Sequence, residues 1–214
     1  MKPSNQHILE ILIINKDYRE AKIVVKSFDE LRKIIEQRYE EQGPGTKQDP
    51  IDFNDIDVSN IDSFCNDKNN GIFQGTKFKY IDISEWDVSN VIDMSKMFLL
   101  CELLKSVGDL SYWNVSKVTD MNSMFHGCKY FNQDISKWDV SNVKDMSFMF
   151  CDCYSFNQNI SDWDVSNVTN MSSMFFRCDE FNQDLSRWDV SNVTYRLGIF
   201  YRCGIKSEYK PKFK

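Results

Sequence analysis

Trp138-Asp139-Val140-Ser141-Asn142-Val143-Lys144-Asp145-Met146-Ser147-Phe148-Met149-Phe150-Cys151-Asp152-Cys153-Tyr154-Ser155-Phe156-Asn157-Gln158-Asn159-Ile160-Ser161 decides the fold, because the chain repeats it almost residue for residue from Trp163. All five tryptophans keep this register, at Trp86, Trp113, Trp138, Trp163 and Trp188, with spacings of 27, 25, 25 and 25 residues. Self-similarity at such a period is the mark of a solenoid, in which each coil buries its apolar face only against its neighbours. A degenerate copy precedes the others, with Ile56 in the tryptophan position and an insertion around Ser63–Asn70 before Ile72-Phe73 restores the pattern. The copy from Trp86 holds two extra residues near Ser106–Asp109.

Within one copy, Met146, Met149, Phe150 and Cys153 are spaced i, i+3, i+4, i+7, which predicts one face of a short helix. Ser141 or Asn142 caps it, and Asp145 suits its first turn. Phe156–Trp163 lacks helical spacing, and Ile160 predicts a short strand leading into a turn. The expected architecture is an α/β repeat solenoid of about six coils, each one short strand plus one short helix. At a strand spacing of about 4.8 Å its body is roughly 25–30 Å long.

Residues 1–50 do not repeat. Ile8–Ile14 and Ala21–Lys26 predict two strands, and Ser27-Phe28-Asp29-Glu30 is a capping-box sequence opening a helix through about Glu41, ended by Gly43-Pro44-Gly45. The division is then an αβ amino-terminal cap (ββα) over 1–50, the solenoid over 51–205 and a basic tail over 206–214. In the last coil Arg196 replaces a repeat methionine, as expected of a capping coil.

The net charge is −6. Residues 1–50 are balanced and the last nine carry +3, so residues 51–205 carry −9. That acidity argues against nucleic acid and anionic lipid as partners. No apolar run approaches the roughly 20 residues of a membrane helix, so no membrane insertion is expected. The apolar start at Ile8–Ile14 is interrupted by Glu10 and is followed by no small-residue cleavage site, which favours a cytoplasmic location.

Catalysis finds no motif. His7 and His126 are the only two histidines, and neither is tied to a nucleophile or carboxylate by spacing, so the chain is not expected to be an enzyme. Cys101, Cys128, Cys153, Cys178 and Cys203 form a column expected to be small buried residues with reduced thiols. A single-file ladder gives no four-ligand zinc set, so no metal and no cofactor are expected. The acidic columns, such as Asp93, Asp120 and Asp145, lack the glycine-rich pattern of calcium-binding β-helices and suit caps and turns instead. Asn132, Asn157 and Asn182 suit an asparagine ladder over the turns.

Two surface columns are the candidate partner-binding residues. Leu99, His126, Cys151, Phe176 and Tyr201 follow each repeat phenylalanine and form an apolar stripe for an outward position. Glu85, Tyr112, Lys137, Asp162 and Arg187 precede each tryptophan and vary while their neighbours do not. The function expected from these residues is binding of a protein partner. The alternative is a structural or self-assembling element, a homo-oligomer joined through the apolar stripe.

The motif W-D-V-S-N-V-T-D-M-S-x-M-F-x-x-C-x-x-F-N-Q-D-I-S, nearly verbatim at Trp138–Ser161 and Trp163–Ser186, resembles the BspA-like leucine-rich repeat family, in the subgroup of mycoplasma lipoproteins and gut bacteria. The resemblance covers about residues 51–205. It implies a leucine-rich-repeat-like solenoid, and a cell-surface protein that binds host or matrix proteins.

Overall fold

Each tryptophan closes a β-turn on the apolar residue three positions before it. The Trp138 N–H donates to the Ile135 carbonyl at 3.2 Å, and the same bond recurs at Trp86, Trp113, Trp163 and Trp188. The computed structural model describes residues 22–66 and 68–213, in which successive copies lie over one another in parallel register. Single parallel bridges link Asp93 to Asp120, Asp120 to Asp145, Asp145 to Asn170 and Asn170 to Tyr195.

The first copies carry the few regular strands. They are β1 (Ile23–Val24), β2 (Ile51–Asp52), β3 (Ile56–Asp57) and β4 (Ile81–Asp82). β1 pairs in parallel with β3, and β2 with β4. The insertion in the first copy is a small loop whose ends, Cys65 and Gly71, pair antiparallel. The extra residues of the second copy are pinned by Gln133, whose Oε1 accepts from the Val107 N–H at 2.9 Å and whose Nε2 donates to the Gly108 carbonyl.

The segment expected to be helical in each copy is a chain of β-turns. Among the described residues the α-helix is α1 (Phe28–Gln42), and Met146–Cys153 forms none. The bonds Met149 N–H to Met146 O, Cys151 N–H to Phe148 O and Cys153 N–H to Phe150 O close overlapping four-residue turns. Phe148 and Asp152 have φ of 57° and 58°, a left-handed conformation that no α-helix accommodates. The amides of alternate residues then point out of the copy. Met146, Phe148, Phe150 and Asp152 donate to Asn170, Ser172, Met174 and Phe176 of the next copy at 2.8–3.0 Å. A helix would spend those donors within itself, whereas the turn chain uses them to join copies.

The strand expected at Ile160 is also displaced. Phe156–Trp163 has no ladder pairing, and the parallel bridges fall at Asp145 and its equivalents instead. Ile160 is buried, so its apolar character reflects the core rather than a strand.

Stacked rings fill the interior. Phe98, Phe125, Phe150, Phe175 and Phe200 form one column with centroids 5.4–5.9 Å apart. Phe131, Phe156 and Phe181 form a second, at 6.0 and 5.6 Å. Each fully buried ring contributes about 1.5–3 kcal/mol relative to exposure. Buried polar edges are matched across copies. The indole Nε1–H groups of Trp86, Trp113, Trp138, Trp163 and Trp188 donate to the carbonyls of Phe53, Ile83, Leu110, Ile135 and Ile160, at 2.9–3.3 Å. The thiols of Cys101, Cys128, Cys153 and Cys178 donate to the carbonyls of Phe73, Phe98, Phe125 and Phe150, at 2.9–3.1 Å. A small donor is therefore required in that column. In the terminal copy the Cys203 bond stretches to 3.9 Å and moves to Phe181.

At the amino-terminal side, α1 lies on the first copy with Leu31 and Ile35 fully buried. Ser27 caps it, its Oγ accepting from the Glu30 N–H at 3.2 Å. Glu30 reaches back to the Lys26 N–H, one residue before the cap. Gly43 ends the helix with φ of 75° and donates to the Tyr39 carbonyl. Arg38 holds Asp55 through two bonds of 2.7 and 2.6 Å. The strand expected over Ile8–Ile14, and His7, lie outside the described residues; β1 falls within the Ala21–Lys26 expectation. At the other end a 3-10 turn, Ser207–Tyr209, precedes Phe213, which packs on the core.

Candidate functional site

The row before each tryptophan sits at the tip of a β-turn. In Ile135-Ser136-Lys137-Trp138 the turn closes through Trp138, and Asp134 Oδ1 accepts the Ser136 N–H at 2.9 Å. Lys137 therefore projects from a rigid corner, and Glu85, Tyr112, Asp162 and Arg187 are exposed at the equivalent corners. The expected strand face is in fact a stack of turns, because the tryptophan amide folds back instead of pairing sideways. Tyr112 is 82% exposed, with the Lys137 ammonium over its ring at 6.0 Å. Glu85 forms an ion pair of 3.8 Å with Lys22. The row carries both signs and an aromatic on a repeated backbone.

The carboxylates flanking this row are structural. Asp109, Asp134, Asp164 and Asp184 each accept the backbone N–H two residues on, at 2.9–3.0 Å, and the serines hold their carboxyls below the ordinary range. The asparagines bridge copies: Asn132 Oδ1 accepts the Asn157 N–H, and Asn157 Oδ1 the Asn182 N–H, at 2.9 and 3.0 Å.

The apolar stripe is less uniform than its sequence. Cys151 is buried at 5% exposure, Leu99, His126 and Phe176 are half-buried, and Tyr201 is 57% exposed. Phe176 and Tyr201 stack at 5.1 Å, and His126 stacks on Phe148 at 6.1 Å. Cys151 therefore presents little surface, and the last copy exposes Tyr195 and Leu197 as well as Tyr201.

In the middle of the stripe the register assembles a polar cluster that linear spacing hides. His126 belongs to one copy, Cys151 and Asp152 to the next. His126 Nε2 lies 3.8 Å from Asp152 Oδ2, and the Cys151 Sγ donates toward the same oxygen at 3.6 Å. The other oxygen, Oδ1, takes Arg177 Nη1 at 2.9 Å and the Tyr154 hydroxyl at 3.3 Å. Arg177 stacks over Tyr154 at 5.2 Å. Burial, then the Asp152 charge, pushes the Cys151 thiol up to about 12. Burial lowers the His126 pKa, and Asp152 only partly offsets it. A protonated thiol beside a neutral imidazole is no activated nucleophile. The sequence carries no signal of this cluster: His126 and Cys151 stand in one variable column and Asp152 in the next, so no recurring residue marks it.

Among the described residues, no helix is long and apolar enough to cross a membrane. A family model described as "Mycoplasma protein of unknown function, DUF285" matches three overlapping stretches, residues 46–137, 68–163 and 100–209. No curated protein and no solved structure matches the chain.

Proposed function

We propose that this chain, which belongs to the DUF285 family of mycoplasma proteins of unknown function, is a non-enzymatic protein-interaction module built as a leucine-rich-repeat-like solenoid. One observation carries the proposal: the exposed row Glu85, Tyr112, Lys137, Asp162 and Arg187 varies on turns whose buried residues and bonds recur. Fixed spacing with variable side chains gives a surface that is preorganised, so little ordering entropy is lost on binding. The intercopy bonds support the solenoid. The motif's likeness to BspA-like repeats supports a surface or host-attachment setting. The acidity of residues 51–205 favours a protein partner over nucleic acid.

The test is capture of partners by the full chain beside a variant carrying Tyr112→Ala, Lys137→Glu, Asp162→Lys and Arg187→Glu. A partner retained by the wild type and lost by the folded variant is the expected result. A partner bound equally by both removes this row from the proposal.

A second reading rests on the last copy, where Tyr195 is 67%, Leu197 86% and Tyr201 57% exposed. Those side chains suit association of identical chains. Light scattering decides it: a concentration-dependent dimer that Tyr201→Ser with Leu197→Ser dissolves supports self-assembly, and a monomer at all concentrations removes it.

A further inference from the structure

We propose that His126, Cys151 and Asp152 form a binding site for a borderline-soft divalent cation of the Zn2+ type. The proposal stands on geometry and does not depend on the protein-binding surface above. The ligating atoms of the three side chains all lie within 4.8 Å of one another. Ligand bonds to zinc run about 2.3 Å for sulfur and about 2.0–2.2 Å for nitrogen and oxygen, so the edges of a zinc tetrahedron are about 3.3–3.7 Å. The observed Cys151–Asp152 separation, 3.6 Å, matches such an edge, and the His126–Asp152 separation, 3.8 Å, lies just above that range and closes with a small shift of the half-buried imidazole.

The surroundings are those of a supported site. Phe148 stacks on the His126 ring and limits its rotation. Arg177 and Tyr154 hold Oδ1 of Asp152, which leaves Oδ2 directed at the cysteine and histidine. Hydrogen bonding to the distal oxygen of a carboxylate is the usual outer support of a metal ligand. Arg177 also offsets one negative charge, so the three ligands with a bound thiolate carry a modest net charge. Cysteine with histidine selects zinc-like ions over magnesium or calcium, which prefer all-oxygen sets. His126 and Asp152 are half-buried, so a fourth position opens toward solvent for water or for a partner's side chain. Binding displaces the Cys151 proton to solvent.

The experiment is a Co2+ titration of the full chain under reducing conditions, followed by absorbance and then by Zn2+ competition. The expected result is a one-to-one tetrahedral spectrum with a thiolate-to-cobalt charge-transfer band, displaced by Zn2+ and not by Mg2+. Cys151→Ser should abolish the charge-transfer band, and His126→Gln should weaken Co2+ binding at least about tenfold. Cys65→Ser, at a half-buried thiol elsewhere, should change neither. His126 is half-buried, so His126→Gln keeps the test decisive if Cys151→Ser fails to fold. An octahedral spectrum without a charge-transfer band in the wild type overturns the proposal. So does a tetrahedral site that survives both variants.

Discussion

Asn170 Nδ2 donates to Asp145 Oδ2 at 3.0 Å, which closes one end of a line of three stacked carboxylates. Asp93, Asp120 and Asp145 follow one another through the parallel bridges, and Ser63 Oγ donates to Asp93 Oδ2 at 3.1 Å at the other end. Asp120 sits between two like charges. Burial, with Asp93 and Asp145, raises its carboxyl pKa, against the opposing backbone bond from Asn122.

Asp120→Asn should therefore stabilise the protein at neutral pH by up to about 1 kcal/mol. The amide oxygen can still accept the Asn122 N–H, as Asn170 accepts the Ser172 N–H in its own copy. A raised folded pKa means Asp120's favourable contribution is complete below its unfolded value, about 3.9, and is lost as pH rises through the folded value. The gain of the variant should be present at pH 7 in urea denaturation and absent at pH 3.

The turn carboxylates have the opposite sign. Asp57, Asp87 and Asp164 are held below the ordinary range, chiefly by bonds from serines two residues on. Their contribution is present above the unfolded value and lost as pH falls through the folded one. Thermal denaturation should show Tm falling once pH drops below about 4. Asp164→Asn should flatten that fall.

Trp138→Phe removes the indole N–H that meets the Leu110 carbonyl and leaves that oxygen with one fewer donor. The expected loss is about 1–3 kcal/mol. Neighbouring copies bury each other, so circular dichroism should register one cooperative transition at lower urea rather than a separate melting of this copy.

Leu31→Ala should cost about 2–5 kcal/mol, because Leu31 anchors α1 on the first copy and is fully buried. Ser27→Ala, which removes only the cap, should cost about 1 kcal/mol. Urea midpoints of the two variants, measured together, check the ranking.

The buried columns were legible because a repeat shows its inward positions by recurrence: Trp138, Val143, Met146, Phe150 and Cys153 are all buried. Helix and turn chain were not distinguishable by that route, since overlapping turns also return a side chain inward every three or four residues. Two glycines carried the missing signal. Gly127 and Gly198 occupy the columns of Asp152 and Phe148, and all four have positive φ. Glycine appearing once in a column marks a left-handed position for the whole column. The cluster at Asp152 was hidden for another reason: His126 and Cys151 are distant along the chain and meet only through the one-copy offset. The turn corners carrying Lys137 and its equivalents were singled out by their variation between copies, while the bond that shapes them is a backbone bond no side chain announces.

The amides that join copies give the gene an unusual freedom. Met121 donates to Asp145 as Met146 donates to Asn170, and Phe125 to Met149 as Phe150 to Met174. Every internal junction is thus the same lock and the same key. An unequal crossover between repeats, adding or removing one period of 25 residues in the stretch from Trp113 to Trp188, would keep this backbone pairing at the new junction and change only which side chains meet there. The number of variable corners can then change in single genetic steps, while the backbone pairing that holds the stack together stays the same.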